Sequence, residues 1–158
     1  MLQADIARLA GDFIKFHPLG VLATVNTNGV PWTAAVYVAS DDEFNLYFTT
    51  KAHTKKQANI AQNPAVSLVI VNEQKQATLQ AQGEAKRITD PKEANVASTV
   101  LRRVTTDSED WMPPIAKLDA GEYELYKIKV TYAALRVFGD RRKDEMPQEW
   151  EYSADTST

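Results

Sequence analysis

The chain has 158 residues, 44% hydrophobic and 25% charged, which suits one globular domain with a substantial core. A formal charge of -3 and a pI near 5.4 remove the broad positive field on which non-specific nucleic-acid binding depends. The absence of cysteine excludes disulfides, thiol catalysis and cysteine metal sites. The longest uninterrupted apolar run, Ala65 to Val71, falls far short of the roughly 20 residues a membrane-spanning helix needs. The N-terminal stretch also lacks the basic-then-apolar order of a signal peptide, so a cytoplasmic protein is expected.

In chain order, Ile6, Leu9, Phe13 and Phe16 recur at three- and four-residue spacing and predict an amphipathic helix over Asp5 to Lys15. After His17-Pro18 the texture changes. GVLATV, VPWTAAVYVA and FNLYFTT are rich in Val, Thr, Tyr and Phe and are separated by the turn-forming NTNG and SDDE, which reads as a three-strand meander. Within its second strand Val30, Trp32, Ala34, Val36 and Val38 share one face, and Thr33, Ala35, Tyr37 and Ala39 share the other. Both faces are largely apolar, so both are expected to be covered.

A short helix follows in TTKAHTKKQANIAQNP, with Thr54 as N-cap and Asn63-Pro64 as stop. Then come the strand AVSLVIV, a turn over residues 72–75, and the long strand QATLQAQGEAKRI, where Gly83 invites a bulge or bend. Asp90-Pro91-Lys92-Glu93 has the form of a helix start, and that helix is expected to reach about Arg102. The prolines and charges of Arg103 to Leu118 read as a loop, EYELYKIKV and TYAALRVF as closing strands, and the last twenty or so residues as a weakly ordered tail. Six short strands whose connections are too short for parallel crossovers predict a mainly β fold, an antiparallel barrel with flanking helices. The domain is expected to span 1–140, with a C-terminal tail over 141–158.

Most chemistry-bearing patterns are missing. The two histidines, His17 and His53, are far apart and fit no metal-ligand spacing, so no metal site is expected. There is no GxSxG elbow, and the six glycines are scattered singly, which leaves no phosphate loop. Carboxylate runs such as Asp41-Asp42-Glu43 fall in turns and read as solvated surface. No catalytic acid or base can be named.

One stretch resists this reading. Lys55 and Lys56 are the first two residues of the short helix, at an end carrying about half a positive charge, where each ammonium costs roughly 0.3–1 kcal/mol. Thr49, Thr50, Lys51, His53, Thr54, Lys55 and Lys56 together gather hydroxyl and cationic donors around free helix N–H groups. Such a set binds a phosphate through dipole, backbone and ammonium contacts at once. The alternative is a surface lysine pair that snorkels away from the helix end.

The same residues carry a resemblance. The order GVLATVNTNGVPWTAAVYVASDDEFNLYFTTKAHTKKQANIAQNPAVSLVIV, followed by a strand ending in QGEAKRI, resembles the FMN-binding split barrel of the pyridoxamine 5′-phosphate oxidase-like superfamily. It combines a G-x-P hairpin, a strand ending in aromatic-x-Thr, a lysine-bearing helix start, and N-P-x-V-S-L entering the next strand.

The resemblance implies a homodimeric split barrel with FMN at the interface. Lys55 and Lys56 would hold the FMN phosphate, with Thr49, Thr50 and Thr54 as hydroxyl or backbone donors. Ala34, Ala35, Val36 and Tyr37 would run along the isoalloxazine. Thr78 stands where the family often has a glutamine near the flavin ring, and Trp111 is read first as a packing residue and otherwise as a cover for the cofactor. The family's oxidase closes with a tryptophan- and arginine-bearing segment that PQEWEYSADTST does not reproduce, so pyridoxamine phosphate oxidation is not expected. The haem-degrading branch is disfavoured, because neither histidine lies in a haem motif.

The leading expectation is an FMN-binding oxidoreductase-like protein passing electrons between NAD(P)H and a small-molecule acceptor. The alternatives are a non-catalytic flavin carrier or sensor, a deazaflavin (F420)-binding relative, and a plain ligand-binding barrel whose lysines are incidental.

Overall fold

The computed structural model describes residues 1–105, 123–139, 143 and 145–154. Helix α1 spans Gln3–Phe16 and buries Ile6, Ala10 and Ile14; of the expected stripe, Ile6 is buried and Leu9 and Phe13 pack partly on the core, while Phe16 is exposed. Then follow β1 (Leu19–Val25), β2 (Pro31–Tyr37), the two-residue β3 (Ala39–Ser40), β4 (Asn45–Lys51), α2 (Lys55–Gln62), β5 (Ala65–Asn72), β6 (Ala77–Arg87), α3 (Pro91–Thr105), β7 (Tyr123–Val137) and β8 (Gln148–Ser153). The eight strands form one sheet in the order β2-β1-β5-β6-β7-β4-β3, with β8 added to β7, and every pairing is antiparallel. The sheet curls around a core that includes Leu22, Val36, Phe48, Leu68, Ile70, Leu79, Ile128 and Val130. This is the mainly β, antiparallel split-barrel architecture expected from the strand pattern. A second, smaller core lies beneath α3, where Ala97, Val100 and Leu101 meet Ala39, Tyr47 and Ile88.

Four local expectations change. The meander ends after two strands: β1 and β2 pair, but β4 pairs with β7 and β3. β2 and β4 approach within 8 Å at Cα with no ladder between them, and this gap is the split in the barrel. The two closing strands are one continuous 15-residue β7. Its first half pairs with β4 and its second half with β8, so a single long strand serves both halves of the sheet. β8 itself comes from the segment read as a weakly ordered tail. Its Trp150 and Tyr152 pack on the barrel core, and that burial orders residues whose composition alone reads as solvent-exposed. Finally, β2 is an edge strand with only Val36 fully buried, so within one chain its faces are not both covered.

Gly83 marks the irregularity its position suggests. The β6–β7 register shifts between Gln82 and Gly83, and a Cβ at residue 83 would collide with the Lys129 carbonyl. Only glycine lets the two longest strands approach at this bend. The loop expected over Arg103 to Leu118 falls largely outside the described residues, as does Trp111.

Candidate functional site

The chain leaves β4 at Lys51 and turns into α2 through His53, which takes a left-handed backbone with φ of 63°. Thr54 then caps the helix: its Oγ1 accepts the Gln57 N–H at 3.4 Å. Gln57 reaches back, its Oε1 accepting the His53 N–H at 2.6 Å. This is a capping-box arrangement shifted by one residue, and the T-x-x-Q spacing that signals it is legible in the sequence. Behind the cap Thr50 is 3% exposed, and its Oγ1 lies 3.2 Å from Thr54 Oγ1. The expected donor set is therefore assembled at one place: Thr50, Thr54, Lys55 and Lys56 surround the start of α2, while half-buried Thr49 precedes it on β4.

No acidic residue occupies the first turn of α2. The N–H groups of Lys55 and Lys56 make no hydrogen bond among the described residues, so the helix presents free donors as well as ammonium groups. The two lysines are not alike. Lys55 is exposed, and its Nζ lies 4.0 Å from the centroid of the Trp32 ring. Lys56 is half-buried, and desolvation lowers its pKa below the ordinary lysine value. Asn59 donates from Nδ2 to the buried Thr24 Oγ1 at 3.0 Å, tying α2 to β1. Trp32, Asn59 and Thr24 were not among the sequence candidates. The four-residue spacing of Lys55 and Asn59 was the one available signal, since it puts both on one helix face.

The remaining candidates occupy β2 and β6. Alternation places Ala34 and Val36 on the core-facing side of β2 together with Trp32, and Ala35 and Tyr37 on the outer side. The outer side is shared by Leu19, Val21, Val69 and Val71, which are brought together by the β2–β1–β5 register and leave apolar surface open to solvent. Thr78 is also on the outer side, opposite Val71 and Arg136. It lies five residues, roughly 17 Å along β6, from Gly83 at the α2 end of the strand. One chain therefore does not bring Thr78 to Lys55 and Lys56.

Elsewhere, a hollow of about 350 Å³ opens between β6, β7 and the start of α3, lined by Lys86, Lys127, Lys129, Glu84 and Glu93. There Glu93 pairs with Lys127 at 3.5 Å. No group of three or more potential metal ligands occurs among the described residues, and no helix among them is long and apolar enough to cross a membrane.

The split sheet recurs in known structures of similar shape. One neighbour, from Clostridium acetobutylicum, is a protein related to general stress protein 26 of B. subtilis, of the pyridoxinephosphate oxidase family. It superposes with a TM-score of 0.68 at 12% identity, over 98% of either chain. A heme binding protein from Mycobacterium smegmatis gives a TM-score of 0.69 at 18% identity, and the match covers 97% of this chain and 58% of that longer one. An F420 reductase gives 0.59 at 26% identity, covering 77% of this chain and 94% of that one. No curated protein sequence matches. The sequence profile of the pyridoxamine 5′-phosphate oxidase family matches residues 9–135, which take in both halves of the split sheet and the whole α2 site. The chain belongs to the pyridoxamine 5′-phosphate oxidase family.

Proposed function

We propose that the protein binds FMN by its phosphate at the start of α2 and works as an oxidoreductase between NAD(P)H and a small-molecule acceptor. The observation that carries this reading is the half-buried Lys56 at the same helix start as free N–H groups and the hydroxyls of Thr50 and Thr54, with no carboxylate in the first turn. A dianion offsets the desolvation of the lysine and the unfavourable helix dipole together. The donor set fits a phosphate in both charge and hydrogen-bond type. Bound flavin would supply the electron-transfer chemistry. The chain's own part is to hold the phosphate through Lys56 and the α2 N–H groups, with Lys55 at the same helix start, and to present the β2 backbone at Ala34, Ala35, Val36 and Tyr37 alongside the ring.

A second copy of the chain completes the site in this reading. Ala35, Tyr37 and Thr78 face outward with Leu19, Val21 and Val71, away from the α2 of their own chain. A homodimer packed through that apolar face buries it and brings residues of one copy toward the α2 of the other. A dimer mass of about twice 17.6 kDa in sedimentation is the expected result.

Titrating the purified protein with FMN and following the visible spectrum tests the reading. The expected outcome is a saturable flavin spectrum, with NADH- or NADPH-dependent turnover once an acceptor is supplied. A protein that ignores added FMN overturns it, and one that binds FMN without turnover is a flavin carrier or sensor. Deazaflavin F420 is the second ligand, favoured by the similarity to an F420 reductase, and competition between F420 and FMN in a fluorescence titration separates the two.

A further inference from the structure

The two lysines at the start of α2 lie about 100° apart around the helix and meet different neighbours. Lys55 and Asn59, four residues apart, share one face. That face rests on the β1–β2 hairpin: Lys55 Nζ sits 4.0 Å over Trp32, and Asn59 donates to Thr24. Thr24 and Trp32 are direct partners in the β1–β2 ladder, so successive turns of α2 grip a single cross-strand pair.

The helix is short and carries one fully buried side chain. With eight residues it is well below the length at which an isolated helix is stable, and Ile60 is its one buried residue. A single apolar anchor sets the depth of a helix and leaves it free to roll. The Trp32 contact is also hard to explain as core packing, because the ring is 44% exposed on a strand with a single ladder neighbour. An ammonium over the face of an indole is drawn to the ring quadrupole while it keeps much of its hydration.

We propose that Lys55 is a positioning residue that acts through Trp32 and is not a phosphate ligand equal to Lys56. Together with the Asn59–Thr24 hydrogen bond it clasps α2 to the β1–β2 hairpin. The clasp fixes the direction in which Lys56 and the free N–H groups of the helix face. Its consequence for flavin affinity rests on the FMN reading above, whereas the clasp itself does not.

The test uses Lys55→Met, Lys55→Arg, Trp32→Leu, the Lys55→Met/Trp32→Leu double variant and Lys56→Met. Each is examined by urea unfolding of the flavin-free protein and by FMN titration at several salt concentrations. Lys55→Met and Trp32→Leu are expected each to weaken FMN binding about two- to fivefold, the range of an exposed cation–π contact. The double variant should weaken it no more than the larger single effect, and Lys55→Arg should stay within about twofold of the parent. The salt dependence of FMN affinity should keep its slope in Lys55→Met and become shallower in Lys56→Met, because only the latter loses a charge that faces the phosphate.

The proposal is overturned if Lys55→Met flattens the salt slope as much as Lys56→Met while Trp32→Leu binds like the parent. It is equally overturned if the Lys55 and Trp32 effects simply add in unfolding. Non-additive unfolding in a protein that binds no FMN would leave the clasp standing and remove the flavin reading. Additive unfolding in a protein that binds FMN would do the reverse.

Discussion

α2 and α3 begin in opposite ways. α3 follows helix electrostatics: Asp90 Oδ2 accepts the Glu93 N–H at 3.2 Å, Glu93 adds an acid to the first turn, and Arg102 and Arg103 stand in the last. Its first turn also holds Lys92, but beside the acid Glu93, which pairs with Lys127 from β7 as well. α2 has two lysines where α3 has an acid, and neither end carries a compensating charge. Both helices pack on strands of the same sheet, α2 on β1 and β2 and α3 on β3 and β4. A helix whose dipole is satisfied from within needs nothing from outside, while one that carries cations at its positive end is suited to an external anion.

The comparison breaks most readily at the lysines. Replacing Lys55 and Lys56 together by alanine should weaken FMN binding at least tenfold, about 1.4 kcal/mol, without lowering the unfolding midpoint in urea. Unchanged affinity would make α2 as self-sufficient as α3.

pH sharpens the same point. Burial holds Lys56 below the ordinary lysine value of 10.5, so between its folded pKa and 10.5 the unfolded chain holds more protons than the folded one. Across that window the contribution of Lys56 to stability rises with pH. FMN affinity falls over the same range as the ammonium is lost. Lys56→Arg keeps its charge throughout and should remove the decline, which dissociation constants measured from neutral pH to about 10.5 would reveal.

Cap removal separates the helices next. Asp90→Ala should cost about 1 kcal/mol of stability in urea unfolding and leave FMN affinity as it was. Thr54→Ala should cost less, about 0.5 kcal/mol, because the Thr54 bond to Gln57 is longer than the Asp90 bond to Glu93. Unlike Asp90→Ala it should also weaken FMN binding. The smallest effect is expected for Lys127→Met. This removes the ion pair to a Glu93 that is about half exposed, a change of no more than about 0.5 kcal/mol by thermal or urea unfolding.

Much of this contrast is legible in the chain itself. Thr54-x-x-Gln57 and Asp90-Pro91-x-Glu93 announce both helix starts, and Lys55-Lys56 announces the anomaly. The bulge at Gly83 also follows from local pattern. Strand partners do not. FNLYFTT has the same composition whether it pairs with β2 or, as it does, with β7, since hydrogen-bonding between strands is blind to sequence separation. The role of Trp32 was hidden for a related reason. Alternation assigns it to a core-facing row, but only the position of α2 shows that it lies beyond the core and beneath Lys55.

The sequence by itself determined most of the helix and strand segments, where α2 and α3 start, and that two cations stand at a positive helix end. These are properties of neighbouring residues, set by periodicity, capping and dipole. Tertiary structure alone decided that β2 and β4 part to split the barrel and that residues 148–153 return to pair with β7. It also decided that of Lys55 and Lys56, adjacent in sequence, the first lies over an indole ring and the second is half-buried and partly desolvated. Such outcomes depend on which distant surfaces meet, and burial and solvation are fixed only when they do.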